Sequence, residues 1–257
     1  MYKVVEKVLS KRFKRVLGKI IDERQSAFVG GRFLLDGVMV ANEVMDEVKK
    51  DKKQQCLIFK VDFEKAYDSM RWKFLYYMLS KLGFCDLWIK WIKGCLESAS
   101  LSVLVIGSPS EKIVKQKGLH QGDSLAPFLY LCVAKGLTGL TREAISKDLF
   151  QGIKVGKKQA NVNLLQFEDD TLFFPKPCLE NVLTLKSKLR CFELVCGLRI
   201  NFFKSKLAGV GESVETIETY ASLLNCNVMS ILPLCIWESQ LELTHPNLLL
   251  GNQLYKN

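Results

Sequence analysis

Asn163-Leu-Leu-Gln-Phe-Glu-Asp-Asp-Thr-Leu-Phe-Phe174 sets two short apolar runs on either side of a cluster of acids. Runs of four to eight apolar residues bounded by polar ones read as strands, and the acids between them read as a tight turn. Asp169 and Asp170 are consecutive, so on extended backbone their side chains point in opposite directions and need not share a role. A second run, Cys56-Leu-Ile-Phe-Lys-Val-Asp62, is also short and apolar and ends on an acid. If the two strands are neighbours, Asp62 and Asp169 converge across 169 − 62 = 107 positions. Converging carboxylates are costly unless a cation neutralises them, which is why hard divalent ions collect at such places. The plainer alternative stays open: Asp169-Asp170 as an ordinary hairpin turn, and Asp62 as a helix cap.

Outward from these strands the period alternates. Residues 2 to 21 read as an amphipathic helix, with Val4, Val5, Val8, Leu9, Phe13, Val16, Leu17 and Ile20 on one face. Lys3, Lys7, Lys11, Arg15 and Lys19 repeat every four residues on the other, a solvated face or one that lies against phosphates. A Gly-containing loop, Gln25 to Arg32, leads to a helix from about Leu35 to Lys50. Asp68-Ser69 can cap a helix from Trp72 to Leu82 closed by Gly83, and Trp88 to Leu96 is a further helix. Leu101 to Ile106 and Glu111 to Lys115 read as a hairpin around Gly107-Ser-Pro-Ser110. Pro127 opens a helix that runs through Ile145. Gly152 to Val155 is strand-like, and Asn181 to Cys196 is helical up to Gly197. Helices first, then strands mixed with helices, imply α+β with helices packed on one face of a largely antiparallel sheet.

The 257 residues are ample for a sizeable core, and 48% hydrophobic residues exclude a disordered or collagenous chain. With 37 Lys+Arg against 27 Asp+Glu, the net charge of +10 points to a polyanionic partner, nucleic acid before membrane surface. Nine Cys show no C-x-x-C pair and there are only two His, which speaks against a zinc cluster or a disulfide framework. Buried thiols in a reducing compartment are the expectation. No run reaches the roughly 18 apolar residues of a membrane span, and the N-terminus lacks a secretory h-region. An intracellular protein with no membrane partner is expected.

Five segments, in order, bear a resemblance to one family. Gln25-Ser-Ala-Phe-Val-Gly-Gly-Arg32, Phe59-Lys-Val-Asp-Phe-Glu-Lys-Ala-Tyr-Asp68, Gly118-Leu-His-Gln-Gly-Asp-Ser-Leu-Ala-Pro127, Gln166-Phe-Glu-Asp-Asp-Thr171 and Gly197-Leu-Arg-Ile-Asn-Phe-Phe-Lys-Ser205 resemble the reverse transcriptase of LINE-type, non-LTR retrotransposons. The likeness covers most of residues 1 to 232. It implies a right-hand polymerase: fingers over residues 1–55, and a palm over 56–232 with an inserted fingers segment. It also implies DNA synthesis from deoxynucleoside triphosphates on an RNA template and a DNA primer, with two Mg²⁺ (or Mn²⁺) ions. On that resemblance Asp62, Asp169 and the Phe63 carbonyl hold metal, and Asp170 is the third carboxylate, nearer the primer end. Tyr67 stands where the family gates against a ribose 2′-hydroxyl, and Gln121 and Gly122 line the nucleotide pocket. Arg32 reaches toward template or triphosphate, and Lys204 toward departing pyrophosphate. Lys3, Lys7, Lys11, Arg15 and Lys19 are the nucleic-acid-binding row. Nucleus and cytoplasm are the family's compartments.

Four departures bear on activity. Glu168 replaces a small residue beside the aspartates, adding like charge and bulk where primer and sugar must pass. His120 and Ser124 replace an Arg and a Pro, and Lys135 lies where a Glu is common. The resemblance stops near Pro233, so residues 233–257 are expected to form a divergent, poorly ordered tail, and a thumb is expected to be missing. There the same bases, read two positions later, can encode the family's Tyr-Leu-Gly-x-Pro-x-Gly-x-Asn-Pro segment. The hypothesis is a frameshift near residue 233, and genomic bases unable to encode that segment would refute it. The rival readings are an inactive remnant that only binds nucleic acid and, well behind, a metal-dependent phosphohydrolase.

Overall fold

The computed structural model describes residues 2–229 except Lys52, Lys53, Ala99, Val103, Ile106 and Lys158. The tail expected from residue 233 onward lies outside the described residues. Cys56–Val61 is the centre of a five-stranded sheet. On one side it pairs antiparallel with Asp170–Phe173, which pairs in turn with Leu164–Phe167. On the other side it pairs antiparallel with Lys206–Val210, and Asn227–Val228 adds a parallel edge. The register sets Val61 opposite Thr171, so Asp62 and Asp170 leave neighbouring strands at the same end of the sheet.

Alternation along the central strand divides the core in two. Leu57, Phe59 and Val61 point to one face, where the helices Trp72–Lys81, Ala126–Ser146, Leu179–Cys196 and Val214–Leu224 gather. Cys56 and Ile58 point to the other, which is covered by a single helix, Leu34–Lys50, through Val38, Ala41, Val44 and Met45. Most helices therefore mass on one face, as the sequence implies. Every apolar residue of the strand is buried and only Lys60, near its end, is partly exposed, which explains its nearly continuous apolar reading. Each such side chain contributes about 1.5–3 kcal/mol by leaving water.

Several boundaries differ from expectation for local reasons. The helix Tyr2–Ile20 buries Leu9, Phe13 and Leu17 along with Glu6, whereas Val4, Val5, Val8 and Val16 stay exposed. The apolar stripe follows a strict four-residue step, and the valines lie on its flank. Asp68 does not cap the helix after it. Asp68 and Ser69 belong to a separate turn of helix, Ala66–Ser69, and Arg71 is the residue preceding Trp72–Lys81. The expected hairpin is two short pairings in line, Ser100–Leu101 with Ile113–Val114 and Leu104–Val105 with Ser108–Pro109. Gly197 ends its helix at φ +83°, the left-handed conformation that glycine adopts freely. Lys135 donates its ammonium to the Ile20 carbonyl, placing a cation at the C-terminus of the first helix. Among the described residues no helix is long and apolar enough to cross a membrane.

Candidate active site

The acids that the sequence singles out meet at one end of the sheet. The strands Leu164–Phe167 and Asp170–Phe173 are joined by Glu168 and Asp169 alone, with Phe167 paired to Asp170. Asp170 is thus the first residue of its strand and not part of the turn, and Glu168 takes the left-handed position at φ +55°. The backbone of Asp62 is held on both sides from the segment after Gly197. Its N–H donates to Ser205 Oγ at 3.1 Å, and its carbonyl accepts from the Asn201 N–H at 2.9 Å. Ser205 is fully buried and donates onward to the Asn201 carbonyl at 2.8 Å. Asn201 and Ser205 are therefore positioning residues, recognisable in the sequence only through the motif that contains them.

Electrostatics mark the four carboxylates as one cluster. Burial pushes Asp62, Glu168, Asp169 and Asp170 above the ordinary carboxylate range, Asp170 to about 6. Repulsion from Asp62 adds to the shift at Asp169, and repulsion from Asp169 adds to it at Asp170. Lys60 works against this, with its ammonium 3.7 Å from Asp170 Oδ1. Asp170 Oδ2 is buried with no partner among the described residues. Acids forced together, with a buried oxygen left over, fit a site that a cation completes. No three carboxylate, thiol or imidazole groups among the described residues are grouped so as to hold an ion by themselves. Asp62 and Asp169 would supply one carboxylate each, which suits Mg²⁺, an ion that normally keeps waters and substrate phosphates as its other ligands.

Beside Asp62 opens a cavity of about 730 Å³, lined by the cations Lys65, Lys117, Arg199 and Lys204 and by two further acids, Glu64 and Asp68. Lys204 and Lys60 lower the Asp62 carboxyl against its burial. Lys65, Lys117 and Arg199 did not stand out in the sequence, because the chain scatters them over three segments. Tyr67 sits across the cluster, half-buried, its ring stacked on Tyr130 at 5.1 Å between centroids. Its hydroxyl donates to Glu168 Oε1 at 2.7 Å. The bulk and charge of Glu168 are thus directed onto a partner. That hydrogen bond lowers the Glu168 carboxyl, against its burial and the neighbouring Asp169.

The Arg32 guanidinium donates to the carbonyls of Ile21, Asp22 and Gln25 and so closes its own loop. What that loop offers the site is Gln25, only 2% exposed. Its Oε1 accepts from the Glu168 N–H at 3.1 Å and its Nε2 donates to the Glu168 carbonyl at 3.3 Å. Gln121 and Gly122 are exposed. Gly122 has φ +96° with open space where a Cβ would lie, so it is glycine for its backbone conformation. The close approach occurs at Gly118, where a Cβ would lie 2.4 Å from the Asp68 carbonyl oxygen. Hydrogen bonds from the Gly118 N–H to Met70 and from the Leu119 N–H to Tyr67, 2.7 Å each, seat this loop on the Asp62 segment. Lys3, Lys7, Lys11, Arg15 and Lys19 are all exposed along the first helix, opposite its buried stripe.

Comparison with known proteins gives this arrangement a context. The family model described as reverse transcriptase (RNA-dependent DNA polymerase) matches residues 1–220. The transposon TX1 149 kDa protein of Xenopus laevis is 25% identical over 207 residues, covering 79% of this chain and 15% of that protein. The Pol polyprotein of the type-2 retrotransposable element R2DM of Drosophila melanogaster is 27% identical over 189 residues, covering 74% and 17%. The chain therefore spans less than a fifth of either relative. Among solved structures, apo telomerase from Candida tropicalis superposes with a TM-score of 0.55 at 13% identity, over 82% of this chain and 41% of that one. At that identity the likeness concerns the fold.

Proposed function

Because the chain belongs to the reverse transcriptase (RNA-dependent DNA polymerase) family, with relatives among the non-LTR retrotransposons, we propose that it extends a DNA primer on an RNA template. The observation that carries the reading is that Asp62, just past the end of one strand, acts by its charge on Asp169 in the turn before the neighbouring strand, both made reluctant to ionise by burial. Asp62, Asp169 and the Phe63 carbonyl would hold two divalent ions, Mg²⁺ or Mn²⁺. When bound, those ions supply the positive charge that favours an ionised primer 3′-hydroxyl and a pyrophosphate leaving group. Asp170, kept in place by Lys60, keeps negative charge on the primer side. Lys204, with Lys65, Lys117 and Arg199, faces the Asp62 cavity and suits the phosphate tail of a deoxynucleoside triphosphate. Gln121 and Gly122 lie on the loop that follows Gly118 and border the nucleotide, and Tyr67 borders its sugar. The exposed row from Lys3 to Lys19 binds nucleic-acid phosphates, and residues 1–55 act as fingers over a palm of 56–232.

The test is primer extension on poly(rA)/oligo(dT) with Mg²⁺ or Mn²⁺. Incorporation that Asp169→Asn abolishes, by at least about 10³-fold given the charge stabilisation lost, supports the reading. Incorporation that survives Asp169→Asn refutes it. A chain that binds the duplex but never extends it is the inactive remnant.

A further inference from the structure

We propose that Glu168 is a positioning residue of the nucleotide pocket, which fixes the Tyr67 hydroxyl and thereby sets the preference for a deoxyribose over a ribose. The inference rests on the polymerase reading for the identity of the ligand. It goes beyond it in giving a task to the residue that most departs from the family pattern.

The backbone aims this side chain. Glu168 holds φ +55°, which costs a residue with a Cβ roughly 1–2 kcal/mol. It stays there because the buried Gln25 carboxamide hydrogen-bonds both its N–H and its carbonyl. Gln25 is itself fixed, since its Oε1 also accepts from the Ala27 N–H at 2.9 Å. The direction in which Glu168 leaves the turn is therefore set before its carboxylate meets anything. What it meets is the Tyr67 hydroxyl at 2.7 Å, a short bond to a charged acceptor. Behind Tyr67 lies Tyr130, 1% exposed on the helix Ala126–Ser146, stacked at 5.1 Å. The Tyr67 ring is thus held at its hydroxyl and over its face. Asp169 follows Glu168 in the chain and its charge reaches both phenols, so the ring edges the place where a nucleotide would meet the cations that Asp62 and Asp169 would hold. A ring pinned at both ends does not give way to a 2′-hydroxyl, whereas a ring stacked only on Tyr130 can swing aside.

The experiment measures equilibrium binding of dATP and of ATP to the full chain on an RNA-template/DNA-primer duplex, with Ca²⁺ in place of Mg²⁺. The wild type is expected to favour dATP. Glu168→Ala should cut the ratio of affinities about tenfold, the worth of one hydrogen bond to a charged acceptor. Glu168→Gln, which keeps an acceptor but loses its charge, should fall between wild type and Glu168→Ala, at about two- to fivefold. Glu168→Asn, a residue at home in the left-handed turn but too short to reach Tyr67, should behave as the Ala variant. Tyr67→Phe should match Glu168→Ala, and the double variant should lose no more than either alone, because one interaction is removed twice. A wild type without preference, a Glu168→Ala ratio equal to wild type, or additive losses would overturn the proposal. Extension with Mg²⁺ separates the two readings. A chain that discriminates sugars but never extends the primer refutes the polymerase and leaves the role of Glu168 standing. One that extends the primer with a ratio indifferent to Glu168→Ala does the reverse.

Discussion

Lys188 gives the sharpest test of the core. It lies on the helix Leu179–Cys196, 7% exposed, and its ammonium has no hydrogen-bond partner among the described residues. Its company is aromatic: the ammonium stands 3.9 Å from the centroid of Phe150 and 4.7 Å from that of Phe173. Burial lowers its pKa from 10.5 to about 7. The folded chain therefore gives up this proton near pH 7, while the unfolded chain keeps it to about 10.5. Between those values the unfolded state binds more protons, so stability rises with pH across the window. The difference, 10.5 − 7 = 3.5, corresponds to about 5 kcal/mol at about 1.4 kcal/mol per unit. Lys188→Met keeps the length of the side chain and removes the charge. At pH 6 it should stabilise the fold by about 3–5 kcal/mol, and by pH 10.5 that gain should have largely gone. Urea unfolding of both proteins at pH 6, 8 and 10 measures this, and the difference between them cancels every group they share. A gain independent of pH, or a Met variant less stable than wild type at pH 6, would refute the reasoning.

Three further variants read other parts of the molecule. Gly118→Ala forces a Cβ to within 2.4 Å of a backbone oxygen at φ +81° and should lower stability by about 3 kcal/mol or more. Gly122→Ala meets only open space and should cost about 1 kcal/mol, so thermal melts that rank the two alike would show that the Gly118 loop is not seated on Asp68. Changing Lys3, Lys7, Lys11 and Arg15 together to Gln should flatten the dependence of log affinity on log salt for an RNA/DNA duplex by about 3, since each phosphate contact contributes about 0.7–0.9. An unchanged slope would remove the first helix from the nucleic-acid interface.

What the sequence disclosed follows from which interactions are local. The strands Cys56–Val61 and Leu164–Phe167 were legible because both are short apolar runs ended by polar residues, and Gly197 marked its helix end through its conformation. The convergence of Asp62 with the acid turn was legible as a possibility, because chain ends of neighbouring strands have few places to go. Others were not, and each depends on distant partners. Arg32 reads as a free guanidinium until the carbonyls of Ile21, Asp22 and Gln25 are folded around it. The valines of the first helix fit an apolar face by count, but the side of the helix that meets Phe84, Trp88 and Phe128 is chosen by Phe13. Gln25 looks like any loop amide, since its contact with Glu168 spans 143 positions.

The same distance explains how the acid cluster is assembled. Four carboxylates whose charges are disfavoured by burial and by one another would splay apart if only their side chains located them. Their positions are fixed through the backbone instead, by Ser205 and Asn201 on either side of Asp62 and by Gln25 on either side of Glu168. Side-chain partners are few: Lys60 for Asp170 and Tyr67 for Glu168. Clamping by the backbone leaves Asp170 Oδ2 buried without a partner among the described residues, which a site meant to receive a cation needs and a purely structural ion-pair network does not. Glu168 is the exception that sharpens the distinction, because its oxygen is committed to a phenol. Its task is therefore separate from that of Asp62 and Asp169, and a cation brought to those two would leave the Tyr67 contact in place.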